Sequence, residues 1–571
     1  MRCRPTCDAN GMCDIRSNDM IRVAIRVHPS VDALEARLQE ALTALVPVTF
    51  VSCPNLAECR EGDAVISLSR DDELVGQLAQ RKIRCLHVTT GTARTDDLPI
   101  GGKSIRFTRS TTLDQRLRGR SLLHEPMPGY SGLTPEPGDE ILACCGDNPV
   151  WIVRNGGGSP MQVSSVPLPN FAAGETPFNQ LRNRRFFRLL PLVHFLREVT
   201  AGSGWKNPPL RACLMLDDPN LHWTSYGFLQ YAKLLDQAKS CGFHVAFATV
   251  PLDAWVSHPG TVKLFRDHPQ QFSLLLHGND HGKRELCQSR SKQDYLFLAA
   301  QSLRRIDRLE RNTGLHVARV MAPPHGVCTS NCLAALLAAG FEGACAATSL
   351  LGKLNPHLLR DPSFGLGLAE LAPEGVPVIP RFTLEPSCEG AIVISAFLDK
   401  PIIPVGHHHT AADGLDPLVR TAATINSLGP IRWGSPEMIL QSNFRTFQED
   451  GTLWVEAFSR RISLTVPEGV TEVGIYRPKG RASDTELNCA VVTNSVSGLE
   501  RRQHTNGSPI KVGRDDRIQL HSLELGKIDY RQVKPPQFSL GAFPRRLLCE
   551  VRDRCMPLLP RQVIPKKWTS G

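Results

Sequence analysis

The sequence predicts an α/β protein in three parts: a Rossmann-like or flavodoxin-like N-terminal domain, a (β/α) barrel, and a C-terminal β-sandwich. Three observations carry this reading. Apolar runs alternate with helical periodicity over residues 21–90, a unit of apolar strand, polar loop and helix recurs over 209–443, and short alternating stretches spaced by Gly, Pro, Ser and Asn follow. The resulting boundaries are a tail over 1–19, domains over 20–205, 206–445 and 446–540, and a second tail over 541–571.

In the first domain, "RVAIRV" and "VTFVSC" flank "VDALEARLQEALTAL", in which Leu and Ala recur at spacings of three and four; "DAVISL" and "RCLHVTT" come next. That alternation is the mark of a parallel sheet. No GxGxxG accompanies it, and "RNGGGSP" at 154–160 lacks the Lys and Ser/Thr of a phosphate-binding loop, so it reads as a plain loop. "FFRLLPLVHFLREVTAG" at 186–202 reads as an amphipathic helix ending at Gly202 and docking this region onto the next.

The barrel strands are expected at "ACLML" before Asp217, "HVAFATV" at 244–250, "FSLLL" before His277, "VARVM" before Ala322, "GACAA" around 345, "VPVIP" near 378, "PIIPV" before Gly406 and "IRW" at 431–433. Helical segments such as "GFLQYAKLLDQAKSCG" and "YLFLAAQSLRRIDRLERNTG" separate several of them. Seven or eight such units predict parallel strands closed into a barrel, with the polar residues at their C-terminal ends sharing one rim. Beyond residue 444, "TLWVEAF", "ISLTVP", "EVGIYRP" and "CAVVTN" predict the antiparallel sandwich, and the last 30 residues read as a poorly packed tail.

Composition narrows the function. With 571 residues the chain exceeds one domain, and its net charge of +10 is spread among 56 acids, which describes a solvated surface and excludes a nucleic-acid-binding stripe. No apolar run reaches about 18 residues, so no membrane span is expected. The N-terminus has no apolar signal region, and a cytoplasmic location follows. The 18 cysteines form no framework and read as buried thiols; Cys3, Cys7 and Cys13 fit no zinc spacing.

The chemistry gathers at the strand ends. "SLLLHGNDHG" closes an apolar run with His277 and His281, four apart, and Asp217-Asp218, Pro323-Pro324-His325 and His407-His408-His409 end other strands. Imidazole nitrogens and a carboxylate oxygen are the donors a divalent ion accepts, zinc foremost, and three protein ligands leave one position open for water. Trp223, Trp255 and Trp433 each follow an expected strand and are placed on the same rim, where indoles suit sugar rings or anchor loops.

These residues resemble the NodB-homology polysaccharide deacetylases of the glycoside hydrolase/deacetylase barrel superfamily. "MLDDPN" is similar to their Asp-Asp motif, "HGNDH" to their His-Ser-x-x-His motif, "APPHG" to their Arg-Pro-Pro-Tyr-Gly motif, and "PVGHHH" to a late motif bearing a histidine. The resemblance spans residues 209–443, in the family's order. It implies a deacetylase-type barrel and a metal-dependent hydrolase acting on acylated carbohydrate or a related amide or ester. It also implies a divalent ion, zinc foremost, on Asp218, His277 and His281, with Asp217 as general base and His407 as general acid; the backbone N–H of His325 is placed to stabilise an oxyanion. His408 and His409 compete with His407 for the acid's place. Ala322 stands where the family has the arginine that orients its base, Gly278 replaces a serine, and Asp280 is an added acid, suited to support a ligand histidine. Two other readings fit the chain: a carbohydrate-binding scaffold without turnover, and a metal-independent glycoside hydrolase, which needs two carboxylates flanking a bond.

Overall fold

A computed structural model describes residues 103–155, 159–171, 174–182, 184–372, 375–476, 528–537 and 540–558, with shorter stretches before 103 and between 477 and 527. The tail over 1–19 with its three cysteines, the glycines at 156–158 and residues 559–571 lie outside the described residues. Two compact units result, one of Met1–Trp205 with Leu359–Gly367, the other of Lys206–Leu358 with Leu368–Gly571.

The first unit is built on a nine-stranded mixed sheet. Val48–Ser52, Ile21–Arg26, Ala64–Ser67, Arg84–Val88 and Met161–Ser164 run parallel in that order, as the alternation over 21–90 requires. The sheet then continues antiparallel through Asn148–Arg154, Glu140–Cys145, Ser104–Phe107 and Ser121–Leu123. The helix expected at 186–202 spans Leu190–Thr200 and packs within its own unit: His194 meets the edge of Trp151 at 5.0 Å, and Glu198 accepts from Gln162 at 2.6 Å. Leu359–Gly367 also belongs here, with Arg37 donating to the Leu359 carbonyl at 3.1 Å.

The second unit contains the repeated strand-helix pattern. Its strands are β1 (Leu214–Asp217), β2 (Val245–Thr249), β3 (Phe272–Leu276), β4 (Val317–Met321), β5 (Gly343–Ala346), β6 (Val376–Pro380), β7 (Phe382–Thr383) and β8 (Pro404–Gly406). Helices α1 (Tyr231–Cys241), α2 (Pro259–Asp267), α3 (Lys292–Thr313), α4 (Ser330–Ala338), α5 (Thr348–Leu354), α6 (Glu389–Phe397) and α7 (Asp416–Asn426) come between or after them. α3 shows how local sequence sets an element: Ser291 and Asp294 form a reciprocal capping box, and Gly314 ends the helix at φ 68°.

Neighbouring strands pair in parallel in the order β6-β5-β4-β3-β2-β1-β8-β7, with Glu370–Ala372 antiparallel on β6. The terminal strands β6 and β7 are consecutive in the chain, with only Arg381 between them. Arg381 N–H bonds the Ala346 carbonyl at the end of β5, and Phe382 N–H bonds Ile403 beside β8. The two ends of the sheet therefore meet in one stretch of chain.

Side-chain alternation fills the inside of this sheet with apolar residues, the smallest of them on β2. Cys213, Met215, Ala246, Ala248, Leu275, Val320, Cys345, Ile379 and Ile403 form one buried cluster. "IRW" differs from its expectation: Ile431–Trp433 pairs with Leu210–Ala212 in a separate two-stranded sheet, with Trp433 level with Ala212. That is the end of the chain segment opposite Asp217, so Trp433 is not on the rim; its indole N–H bonds Asn426 at 2.7 Å. Trp223 and Trp255 are exposed.

Beyond residue 444 lie two four-stranded sheets whose side chains share one core of Leu453, Val455, Ile462, Leu464, Val473 and Ile518; they are not wholly antiparallel as expected, since Thr452–Ala457 pairs in parallel with Glu472–Tyr476. Within the expected final tail, Ala542–Cys555 forms helix α8. No helix of the described residues is long and apolar enough to cross a membrane, and no disulfide joins the described cysteines, most of which are buried.

Candidate functional site

Strand parity carries four polar side chains into one place. The inward positions Met215, Leu275, Ile379 and Ile403 are followed, at even spacing, by Asp217, His277, Arg381 and His407. Register brings them near one another: Leu216 lies opposite Gly406, which sets His407 beside Asp217, and Asp217 lies opposite Ala248 and Ala248 opposite Leu275, which sets His277 two residues further along. Asp218 would point away if the strand continued, but its φ of 76° turns the chain and returns the carboxylate to the same side.

Asp218 Oδ1 lies 3.3 Å from His281 Nε2 and 3.8 Å from His277 Nε2. One ligand atom from each of Asp218, His277 and His281 falls within 4.8 Å of the others. His277 Nδ1 sits 2.8 Å from the Ala322 carbonyl, which can only accept, so Nδ1 carries the proton and Nε2 presents its lone pair. Burial pushes His277 down to about 4, which keeps it neutral. Asp218 Oδ1 is buried without a hydrogen-bond donor. Burial raises its carboxyl, but His281, His277 and Arg546 outweigh burial and hold it well below the ordinary range. An ionised oxygen lacking a donor, facing two imidazole nitrogens, fits a divalent cation.

The loop from His277 to His281 is shaped around Glu285, whose carboxylate accepts from the N–H groups of Asn279 at 3.0 Å, Asp280 at 2.9 Å and His281 at 3.2 Å. Burial raises Glu285 against the lowering effect of these bonds. Here lies the reason for Gly278: at φ 67°, a Cβ would stand 2.4 Å from Glu285 Oε2 and 2.8 Å from Pro324. Asp280 does not support a ligand histidine as expected; its carboxylate pairs with Arg305. Glu285 holds the loop in its stead, through the backbone.

Arg381 answers the missing arginine. From the β6–β7 junction its Nη1 donates to both Asp217 oxygens at 2.9 Å, and Nη2 donates to the Pro323 carbonyl at 2.8 Å. Arg381 and Asp217 are both buried. Burial raises the Asp217 carboxyl, but Arg381, His277 and His407 outweigh it and keep the carboxyl below its usual value.

No protein-family model matches the chain, and no curated protein does. Solved structures similar over part of it include a putative polysaccharide deacetylase from Mycobacterium smegmatis (11% identity, TM-score 0.29, 40% of this chain and 88% of that one). Others are a family 4 carbohydrate esterase from Streptomyces lividans in complex with acetate (12%, 0.25, 40% and 94%) and a CE4 esterase from Streptococcus mutans (14%, 0.23, 40% and 87%). At these values the likeness is loose, and the chemistry is read from the side chains themselves.

The three late histidines separate by environment. His407 continues the inward parity of β8, and its ring stacks on His409 at 5.2 Å. His408 is buried, stacked on Phe228 at 5.8 Å, with Nε2 3.5 Å from Asp553. Burial, with His407 and His408, lowers His409 to about 4. His325, at φ 60°, places its ring 5.6 Å from His281.

Helix α8 lies over these strand ends. Arg546 donates to both oxygens of Asp253, at 2.5 to 3.2 Å, and its Nη1 stands 3.7 Å from Asp218 Oδ1. Asp553 accepts from Tyr226 at 2.7 Å, and Glu550 pairs with Asn220 and His222. Sequence reasoning missed Arg381, Glu285 and all of α8's contacts. Only Arg381 left a trace, as a cation on the inward parity of an apolar strand.

Proposed function

We propose that the chain is a metal-dependent hydrolase removing an acyl group, acetyl in the first instance, from a carbohydrate or a related amide or ester. One observation carries this reading above the others: Asp218, His277 and His281 direct ligand atoms into one space, and the Asp218 oxygen among them is buried without a donor. These three would hold the ion, with zinc suited to two imidazoles and a carboxylate. Such an ion, when bound, supplies Lewis acidity and acidifies a water.

The chain's own residues supply the rest. Asp217, kept ionised and fixed in orientation by Arg381, accepts the proton of the attacking water as general base. His407 gives a proton to the leaving nitrogen or oxygen, since it stands level with Asp217 on the adjacent strand while His408 is tied to Asp553. The backbone N–H of His325 stabilises the oxyanion. We read the strands that meet through β6 and β7 as a (β/α) barrel with this chemistry on its C-terminal rim. The Rossmann-like unit and a β-sandwich after residue 444 then serve presentation or docking.

The test begins with metal analysis of the purified protein. Near-stoichiometric zinc or another divalent ion is expected, and H277A and H281A should each lose it. D217N and H407A should keep the metal but lose about 10²–10⁴ in rate on an acetylated oligosaccharide or small amide. Unchanged metal content in both histidine variants would overturn the site; unchanged turnover in D217N and H407A would overturn the mechanism.

A further inference from the structure

A cleft of about 310 Å³ opens beside the candidate site, between α3 and α8, and its walls include Leu252, Ala254, Trp255, Arg305, Arg308 and Phe543. It adjoins the metal-ligand loop. Leu252 N–H bonds the Asn279 carbonyl at 3.0 Å, and Arg305 Nη1 donates to the Asn279 side chain at 2.7 Å and to the Asp280 carboxylate. Asn279 and Asp280 lie between His277 and His281, so the cleft shares a wall with the ligands. Its opposite wall is equally close: Phe543 lies three residues, one helical turn, before Arg546, which reaches Asp218.

The lining has a definite chemistry. Trp255 and Phe543, with ring centroids 5.5 Å apart, are both exposed, and together they offer an aromatic platform. Two guanidinium groups, Arg305 and Arg308, line it, and Arg545 and Arg546 follow Phe543 on α8. Two carboxylates stand against them, Asp280 paired with Arg305 and Asp253 paired with Arg546; Arg545 donates to the Asp280 carbonyl. No acid among the described residues pairs with Arg308, which therefore meets the cleft as an unanswered positive charge. An aromatic wall with a few placed polar groups, at the small end of the ~300–1,000 Å³ usual for ligand pockets, suits a single ring. A surplus guanidinium suits an anionic substituent on it.

We propose that this cleft is a binding subsite for a sugar ring carrying a carboxylate or a phosphate. The inference rests on the hydrolase reading for its meaning, because it makes the acylated substrate an acidic saccharide. It is tested without turnover. Calorimetric titration of the full chain with N-acetylglucosamine 6-phosphate, glucuronic acid and neutral N-acetylglucosamine should show an anionic ring binding at least tenfold more tightly than the neutral one. The phosphate and carboxylate arms decide which anion is preferred. R308E should abolish that preference, and W255A should weaken binding of the anionic ring, both with metal content unchanged. Equal affinity for charged and neutral rings, no binding of any ring, or a preference that survives R308E would overturn the subsite. None of these outcomes touches the metal analysis, so the hydrolase reading stands or falls separately.

Discussion

Asp217 and Arg381 are both buried, and each is tolerable only because of the other. Removing one partner of such a pair costs about 3–5 kcal/mol, since the remaining charge is left without compensation. R381A should therefore destabilise the protein by about that amount in urea unfolding, and R381A combined with D217N should cost less than the two single changes summed; strict additivity would show that the two do not interact. Gly278 makes a second case. A side chain there meets Glu285 and Pro324 in a left-handed backbone, and G278S should cost about 1–3 kcal/mol and loosen metal binding, although serine stands at this place in the motif it resembles. At this scale Asp218, His277 and His281 were legible because strand ends and a spacing of four are local properties. Arg381 was not, because its partner lies 164 residues away and only the pairing of strands brings them together.

Elements were legible where one periodicity governed them. β1 to β6 follow their apolar runs closely, and "IRW" failed because three residues fix a strand without fixing which sheet it joins. α8 was hidden by an inversion. In "AFPRRLLCEVRDRC" the buried face carries Arg546 and Asp553 while Leu547, Leu548 and Val551 are exposed, so the usual rule of apolar side inward reads it as no packed helix at all. Polar anchoring also ties the foot of β2 to β3: His244 Nδ1 donates to the Gln270 carbonyl at 2.9 Å, and Nε2 accepts from Ser273 at 2.8 Å. Burial lowers His244 to about 4 from an ordinary 6.5. Between these values the unfolded chain binds the proton and the folded chain does not, so stability falls as pH drops from 6.5 to 4. The loss attributable to His244 is about 3 kcal/mol. It should appear as the difference between wild type and H244Q in urea unfolding across that window, and identical pH slopes would remove His244 as the cause.

At the scale of the whole molecule, the described chain is two units, and the candidate site residues all lie in one of them. The long segment of the first unit ends at Trp205, between the alternation over 21–90 and the repeat over 209–443. The return of Leu359–Gly367 to the first unit was not legible, because long-range contact fixes it: a Cβ added at Gly365, whose φ of 90° already favours glycine, would lie 2.2 Å from the Phe178 ring. Within the second unit, α8 joins loops that follow four different strands: Asn220 and Tyr226 after β1, Asp253 after β2, Asp280 after β3 and His408 after β8. Arg546 is the buried centre of that clamp. R546A takes the guanidinium away from the buried Asp253 carboxylate, while Asp218, His277 and His281 keep their own strand supports. Amide hydrogen exchange in 219–226 and 251–255 should then quicken at least tenfold, since opening these loops would release a charge that folding no longer compensates. Exchange in the sheet of the first unit should not change. If the loops exchange at the wild-type rate in R546A, α8 rests on the rim without holding it, and the rim is organised by the strands alone.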